Sequence, residues 1–168
     1  MTFGESLLPE FDQEMASTRA VLERLPDDKW DWKAHPKSNT IGWNANHLAE
    51  IPGWLSDVIT KDVLDVSPPG GPKYSPPKLP NKSAVLAAFD RHVAAARKDL
   101  AGLKDDAVPK NWTLASAGQT ILTMPRGAVI RGFVFSHMIH HRAILTVYLR
   151  LNDVPVPGIY GPSGDSPA

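Results

Sequence analysis

An all-α four-helix bundle is the fold class this sequence predicts, and three observations carry it. Four segments repeat apolar side chains at the three-and-four spacing of a helix facing a core, Pro-rich or Gly-rich breaks separate them, and no stretch alternates convincingly as a strand. At 168 residues the chain is of one-domain size, so one bundle domain over residues 1–168 is expected.

Helix one, residues 3–25, sets Leu8, Phe11, Met15, Leu22 and Leu25 on one stripe and ends at Pro26. The connection PDDKWDWKAHPKSN is short, which makes the next helix its antiparallel neighbour. Helix two, residues 40–61, starts from Asn39 or Thr40 as N-cap. Pro52 is expected to kink it, because proline has no N–H and crowds the carbonyl of Leu48. Next comes VLDVSPPGGPKYSPPKLPNK, with six prolines and two adjacent glycines, which reads as neither helix nor strand. A helix of about 22 residues is about 33 Å long, and about 20 extended residues reach about 65 Å. This long Pro-rich connector can therefore return the chain and start helix three parallel to helix two. Helix three, residues 83–103, carries Leu86, Phe89, Val93, Ala96, Leu100 and Leu103 as a bundle seam. A second irregular stretch, KDDAVPKNWTLASAGQTILTMP, leads to helix four, residues 126–151, with Pro125 suited to its start.

Composition narrows the function. Eighteen Lys plus Arg balance eighteen Asp plus Glu, so no net positive field attracts nucleic acid or anionic lipid. Cysteine is absent, which excludes disulfides, thiolate ligands and a cysteine nucleophile of the chain's own. Any metal must be held by imidazole and oxygen. The start MTFGESLLPEFDQEM lacks the pattern of a signal peptide, and no apolar run approaches the ~20 residues of a membrane span. A cytoplasmic protein with neither nucleic-acid nor membrane partners is expected.

Three of six histidines fall in SHMIHHRAIL, residues 136–145. On a wheel of 100° per residue with His137 at zero, His141 falls at about 40°, near Ile130, Tyr148, Ile144, Phe133 and Val134. His140 lies on the flank, while Arg131, Arg142, Thr146 and Arg150 lie opposite. In helix two, His47 shares its stripe with Trp43, Ile51, Trp54, Leu55 and Val58, and Asn46, Ala49, Ser56 and Thr60 lie opposite. Imidazoles four residues apart on a helix can bind one ion. A lone core histidine is usually just hydrogen-bonded, but three converging ones bring lone pairs that these apolar stripes do not satisfy. Shared cation and satisfied core histidines both remain open on the residues alone.

Here the chain resembles a known family. TRAVLERLP, WKAHPKSNTIGWNANHLAEIPGW and SHMIHHRAILTVYLRLNDVPVPGIYGPSGD look like segments of the DinB-like (DinB/YfiT-like) metalloenzymes, and the likeness covers most of the chain. It is most specific in HLAE, HMIHHR and VPGIYGPSGD. The resemblance implies an up-down-down-up four-helix bundle and a divalent metal, zinc or nickel, bound by His47, His137 and His141. It also implies a thiol-dependent transferase or isomerase using a low-molecular-weight thiol. The tail departs from the pattern: relatives often place an acidic residue after the Asp, where this chain has SPA.

Conditional on the metal, three neutral imidazoles leave coordination positions open for water or substrate. Without a cysteine, a thiol nucleophile must come from a cosubstrate. The leading expectation is transfer of a small thiol to an electrophilic small-molecule substrate. The alternatives are metal-dependent hydrolysis and a non-catalytic, metal-stabilised binding bundle. Glu50, beside His47 on the wheel, is the candidate base or acceptor for His47, set against a solvated flank carboxylate. Arg142 points away from the histidines and reads as a surface or dimer salt bridge, and His140 as an interface residue. His35 reads as a solvated loop residue and His92 as structural. Trp30, Trp32, Trp43 and Trp54 gather around helix two, as core or as a pocket wall. Phe135 and Ile139, placed outward among arginines, point to a homodimer through helix four or to cover by the connector.

Overall fold

The apolar periodicity places four helical columns correctly, to within a few residues. The computed structural model describes residues 1–165; the SPA departure lies outside the described residues. Helix α1 (Phe3–Leu22) opens with a capping box: the Thr2 hydroxyl accepts from the Glu5 N–H at 3.1 Å, and the Glu5 carboxylate from the Thr2 N–H at 2.7 Å. Helix α2 (Ile41–Thr60) is capped by Thr40, which accepts from the Trp43 N–H at 3.0 Å. It continues through Pro52. The orphan N–H groups of its first turn, on Ile41 and Gly42, donate to the carbonyls of Trp32 and Trp30. That close approach requires glycine, because a Cβ on residue 42 would lie 2.4 Å from the Trp30 indole. Helix α3 (Lys82–Ala101) is capped by Asn81. The fourth column is α4 (Arg126–Val129), a π-helical turn (Ile130–Phe135) and α5 (Ser136–Arg150).

Side-chain pairs fix the directions. Asn46 bonds Leu79 just ahead of α3, and the Ala49 carbonyl, further along α2, meets His92; α2 and α3 therefore run the same way. Asp12 pairs with Arg97 and Arg19 with Asp90, so α1 opposes α3. Glu10 meets Arg131 and Glu14 meets Arg142, so α1 runs with the fourth column. The order is up-down-down-up.

The strictly all-α expectation is corrected. A three-stranded sheet is built from the connections between the helical columns: β1 (Val63–Asp65) pairs in parallel with β2 (Asn111–Ser116), which pairs antiparallel with β3 (Gln119–Pro125). The Pro-rich connector thus begins as a strand, and the second irregular stretch is mostly a hairpin. Its two-residue turn, Ala117–Gly118, has positive φ at both positions, as type I′ requires. Alanine is a poor residue for that conformation. The Asp65 carboxylate compensates by accepting from the N–H groups of Ala117 (3.1 Å) and Gly118 (2.8 Å). The turn is stabilised from a distant strand, so no local signal announces it.

Buried Arg126, at the foot of β3, donates to the carbonyls of Val58 (2.7 Å), Lys61 (3.0 Å) and Ala107 (3.1 Å). Its cation thereby closes the C-terminus of α2, where free carbonyls and the helix dipole favour positive charge.

Arg142 is a second correction. It is neither a surface residue nor placed for a dimer bridge: it is 2% exposed and pairs with buried Glu14 at 2.7 Å. It also donates to the Glu14 carbonyl and to Tyr160 of the tail. The buried face of α5 is Met138, Arg142, Leu145, Tyr148 and Leu149, so His137 and His141 lie on its flank rather than at its centre. The π turn explains Phe135. The Ser136 N–H reaches back five residues to the Arg131 carbonyl, and that extra residue rotates what precedes it. Phe135 is buried, 6.2 Å ring to ring from Phe11. The apolar pair that pointed to a homodimer loses its larger member to the chain's own core.

Arg142→Met leaves the Glu14 carboxylate buried without its cation, and should destabilise the fold by about 3–5 kcal/mol in urea unfolding. Adding Glu14→Leu should recover part of that loss; a double variant no more stable than the single one contradicts the assignment.

Candidate metal centre

The antiparallel contact of α2 with α5 brings together imidazoles ninety positions apart. His47 Nε2 lies 3.0 Å from His137 Nε2, and the His141 ring sits 4.5 Å from that of His47 and 4.8 Å from that of His137. One nitrogen from each lies within 4.8 Å of the other two, near enough for a shared ion, and all three residues are partly buried. The wheel sorted them correctly, since His140 is exposed and only edge-on to His141 at 5.0 Å.

The surroundings set their protonation. Burial first, then the neighbouring His47 and His137, pushes the His141 imidazole down to about 4; burial and then His47 also lower that of His137. Both rings are neutral near pH 7 and present lone pairs, the state a metal ligand needs. Trp43 stacks on His47 at 4.7 Å, Trp54 stands edge-on to His47 and His137 at 5.1 and 5.4 Å, and Phe133 contacts His137 at 5.8 Å. This aromatic collar supplies no hydrogen-bond acceptor. Within the cluster, His47 and His137 can exchange at most one proton across their 3.0 Å contact. Three convergent nitrogens with one hydrogen bond between them suit a cation better than they suit one another.

Asn44 is the residue that the sequence reading missed. It is buried, its amide N–H₂ donates to the Thr40 carbonyl at 2.8 Å, and its Oδ1 faces His141 Nδ1 at 3.4 Å. That partner places the His141 proton on Nδ1 and frees Nε2, the usual way an outer group orients a ligating histidine. Its wheel position, about 60° from His47, was the available signal.

Glu50 lies beside His47, its Oε2 3.8 Å from Nδ1, with both side chains 12% exposed. It is therefore not a solvated flank carboxylate. The Tyr74 hydroxyl, from the connector, contacts its two oxygens at 2.6 and 2.7 Å. Burial, then this bond, raises the Tyr74 phenol well above its ordinary value, so it stays a donor. Neither Glu50 nor another carboxylate joins the three-histidine group among the described residues.

The remaining candidates divide. His92 donates from Nδ1 to the Ala49 carbonyl at 2.7 Å, the structural role expected of it. His35 is exposed and accepts from the Lys37 N–H in its own loop. Trp43 and Trp54 wall the histidines, whereas Trp30 covers Gly42 and Trp32 packs edge-on to Tyr148. Next to the collar opens a cavity of about 940 Å³, with Glu50, Trp54, Phe133 and Trp112 in its wall. No helix among the described residues is long and apolar enough to cross a membrane.

Comparison with known proteins identifies the family and the fold. Residues 10–145 match the family model of the DinB superfamily. The uncharacterized protein YrdA of Bacillus subtilis is 26% identical over 163 residues, covering 95% of this chain and 89% of that one. The crystal structure of a DinB-like protein from Bacillus cereus superposes with a TM-score of 0.68 at 22% identity, over 93% of this chain and 97% of the other. The DinB-like protein YjoA of B. subtilis gives 0.66 at 15% identity, over 89% and 95%. At these identities the two structures speak for the fold alone.

Asn44→Ala should weaken divalent-metal affinity about 10–100-fold in a competition titration, with the helical circular dichroism retained. Unchanged affinity would remove Asn44 from the site.

Proposed function

The chain belongs to the DinB superfamily, and from that membership and the histidine geometry we propose a metal-dependent enzyme that transfers a low-molecular-weight thiol to an electrophile. His47, His137 and His141 hold one divalent ion, zinc or nickel, in this reading. The observation that carries it is the convergence of three imidazoles, two of them held neutral by burial, with no fourth protein ligand among the described residues. A site short of ligands is the open arrangement of catalysis rather than the closed one of a structural metal.

A dication bound there would lower the pKa of a small thiol or of water toward neutrality. The chain's own residues do the rest. Asn44 fixes the His141 ring, and Trp43, Trp54 and Phe133 keep bulk water from the imidazoles. The absence of cysteine means that the thiol arrives as a cosubstrate. Glu50 is the proton acceptor in this proposal: it is shielded, oriented by Tyr74, and set in the cavity wall. As the sulfur forms its bond to the electrophilic carbon, the bond from that carbon to its leaving group breaks and the group departs as its anion, chloride in the case of 1-chloro-2,4-dinitrobenzene, while the thiol proton passes to a Glu50 oxygen and on to solvent.

The test is metal analysis of the purified protein, then turnover of 1-chloro-2,4-dinitrobenzene with glutathione, bacillithiol or mycothiol. About one equivalent of metal is expected, strongly reduced in His137→Ala, with turnover lost to chelation and restored by zinc or nickel. Glu50→Gln should keep the metal and lose about 10²-fold or more in kcat. Equal metal content in His137→Ala refutes the site; a metal-loaded protein inert with every thiol but active on esters replaces transfer by hydrolysis.

A further inference from the structure

The cavity beside the collar has a chemical character of its own. Its wall is aromatic and aliphatic, with Trp54, Trp112, Phe133, Val58, Leu64 and Leu114 among its residues, and the connector contributes Pro68, Pro72, Tyr74 and Pro77. At about 940 Å³ it matches the size range of sites for drug-sized molecules. The lining includes three carboxylates and neither Lys nor Arg. Two of the carboxylates are already compensated. Asp57 pairs with Lys61 at 2.6 Å, and Asp65 accepts backbone N–H groups from Ser67, Ala117 and Gly118. Glu50 has only a phenol and a neighbouring imidazole. An anionic ligand would therefore lose its hydration, meet neither lysine nor arginine and face a carboxylate.

A second observation points to a ligand with a hydrogen-bond acceptor. Among the described residues no partner meets the indole N–H of Trp112, a lining residue 1% exposed, or the Ser56 hydroxyl in the same lining. Buried donors are normally satisfied.

We propose that this cavity binds an uncharged, mainly apolar, ring-bearing molecule with one hydrogen-bond acceptor. Its identification as the electrophilic substrate rests on the thiol-transfer reading; its binding does not. The cavity and the histidine cluster share a wall, because Trp54 and Phe133 stack at 5.7 Å and both contact His137. Glu50 borders both spaces as well. A molecule seated in the cavity lies one ring away from the histidines, while a carboxylated thiol is excluded from the cavity and must approach from another side.

Two probes of the same ring size and opposite character test this on the full chain: 2-acetylnaphthalene, neutral with one acceptor, and 2-naphthoate, its anionic counterpart. Titration followed by tryptophan fluorescence should give saturable binding of the ketone and at least about tenfold weaker binding of the carboxylate. Ala95 and Ser75 are exposed lining residues on α3 and the connector, so Ala95→Phe and Ser75→Trp should each obstruct the cavity and weaken the ketone about tenfold, with unchanged circular dichroism. Protein stripped of metal by chelation should bind the ketone within about twofold of the metal-loaded protein, so loss of the metal reading and loss of the cavity reading are separate results. Naphthoate binding as tightly as the ketone, or both obstructing variants binding normally, overturns the proposal.

Discussion

The buried pair of Arg142 with Glu14 is the constraint on which the rest of the bundle is arranged. Two charges removed from water demand each other, and here they also demand the phenol of Tyr160, which contacts both carboxylate oxygens at 2.9 Å and accepts from Arg142 at 2.6 Å. Satisfying that trio turns one face of α5 toward α1 and the tail. Once Arg142 faces α1, His137 and His141 cannot occupy the middle of the buried face. They fall on its edge against α2, where they meet His47 beside a cavity instead of inside a dry core. The HMIHHR and VPGIYGPSGD segments, joined by the end of α5 and the turn after it, are two sides of this one contact. Asp165 adds a second tie between tail and helix through its ion pair with Arg150 and its bond to the Val156 N–H.

This explains which parts of the molecule were legible. Helix extents and the separation of His140 from its neighbours follow from apolar periodicity, a local property, and the parallel run of α2 and α3 follows from the length of the connector between them. Arg142 and Glu14 were not legible because each looks like a solvent residue until the other is placed opposite it. The sheet was hidden for a similar reason. A hairpin closed by Asn-Gly declares itself, whereas Ala117–Gly118 depends on Asp65, fifty-two positions earlier in the chain. The candidate site was readable down to its three histidines, but Asn44 was not, since an asparagine on an inward stripe gains meaning only from the ring it faces.

Helix α2 is used on every side, and that is how the connector comes to matter. Asn46, assigned by periodicity to the outer face, is buried and bonds the backbone of Leu79 in both directions. One turn on, Glu50 holds Tyr74. The connector is thus pinned across α2 at two points that bracket His47, and its prolines form part of the cavity wall. Prolines suit such a strap: with φ fixed and no N–H to satisfy, an ordered loop of them loses less conformational entropy and leaves fewer orphan donors. What reads in the sequence as a spacer is, in the fold, part of the chamber beside the histidines.

The collar then links site and cavity energetically. Burial among aromatic rings favours the neutral form of His137 and His141, and low local polarity strengthens any interaction with a charge placed among them. A protein that wanted only a hydrogen-bonded histidine core would have gained by supplying carbonyl or carboxylate partners to those nitrogens. Here one amide serves His141, and Glu50 stands 3.8 Å from His47, beyond hydrogen-bond length. The remaining lone pairs have no protein partner among the described residues that would compete with a bound ion, and the same two rings, Trp54 and Phe133, that isolate them also face the apolar chamber. A cation held on one side and a neutral ring on the other would be separated by little more than the thickness of that stacked pair.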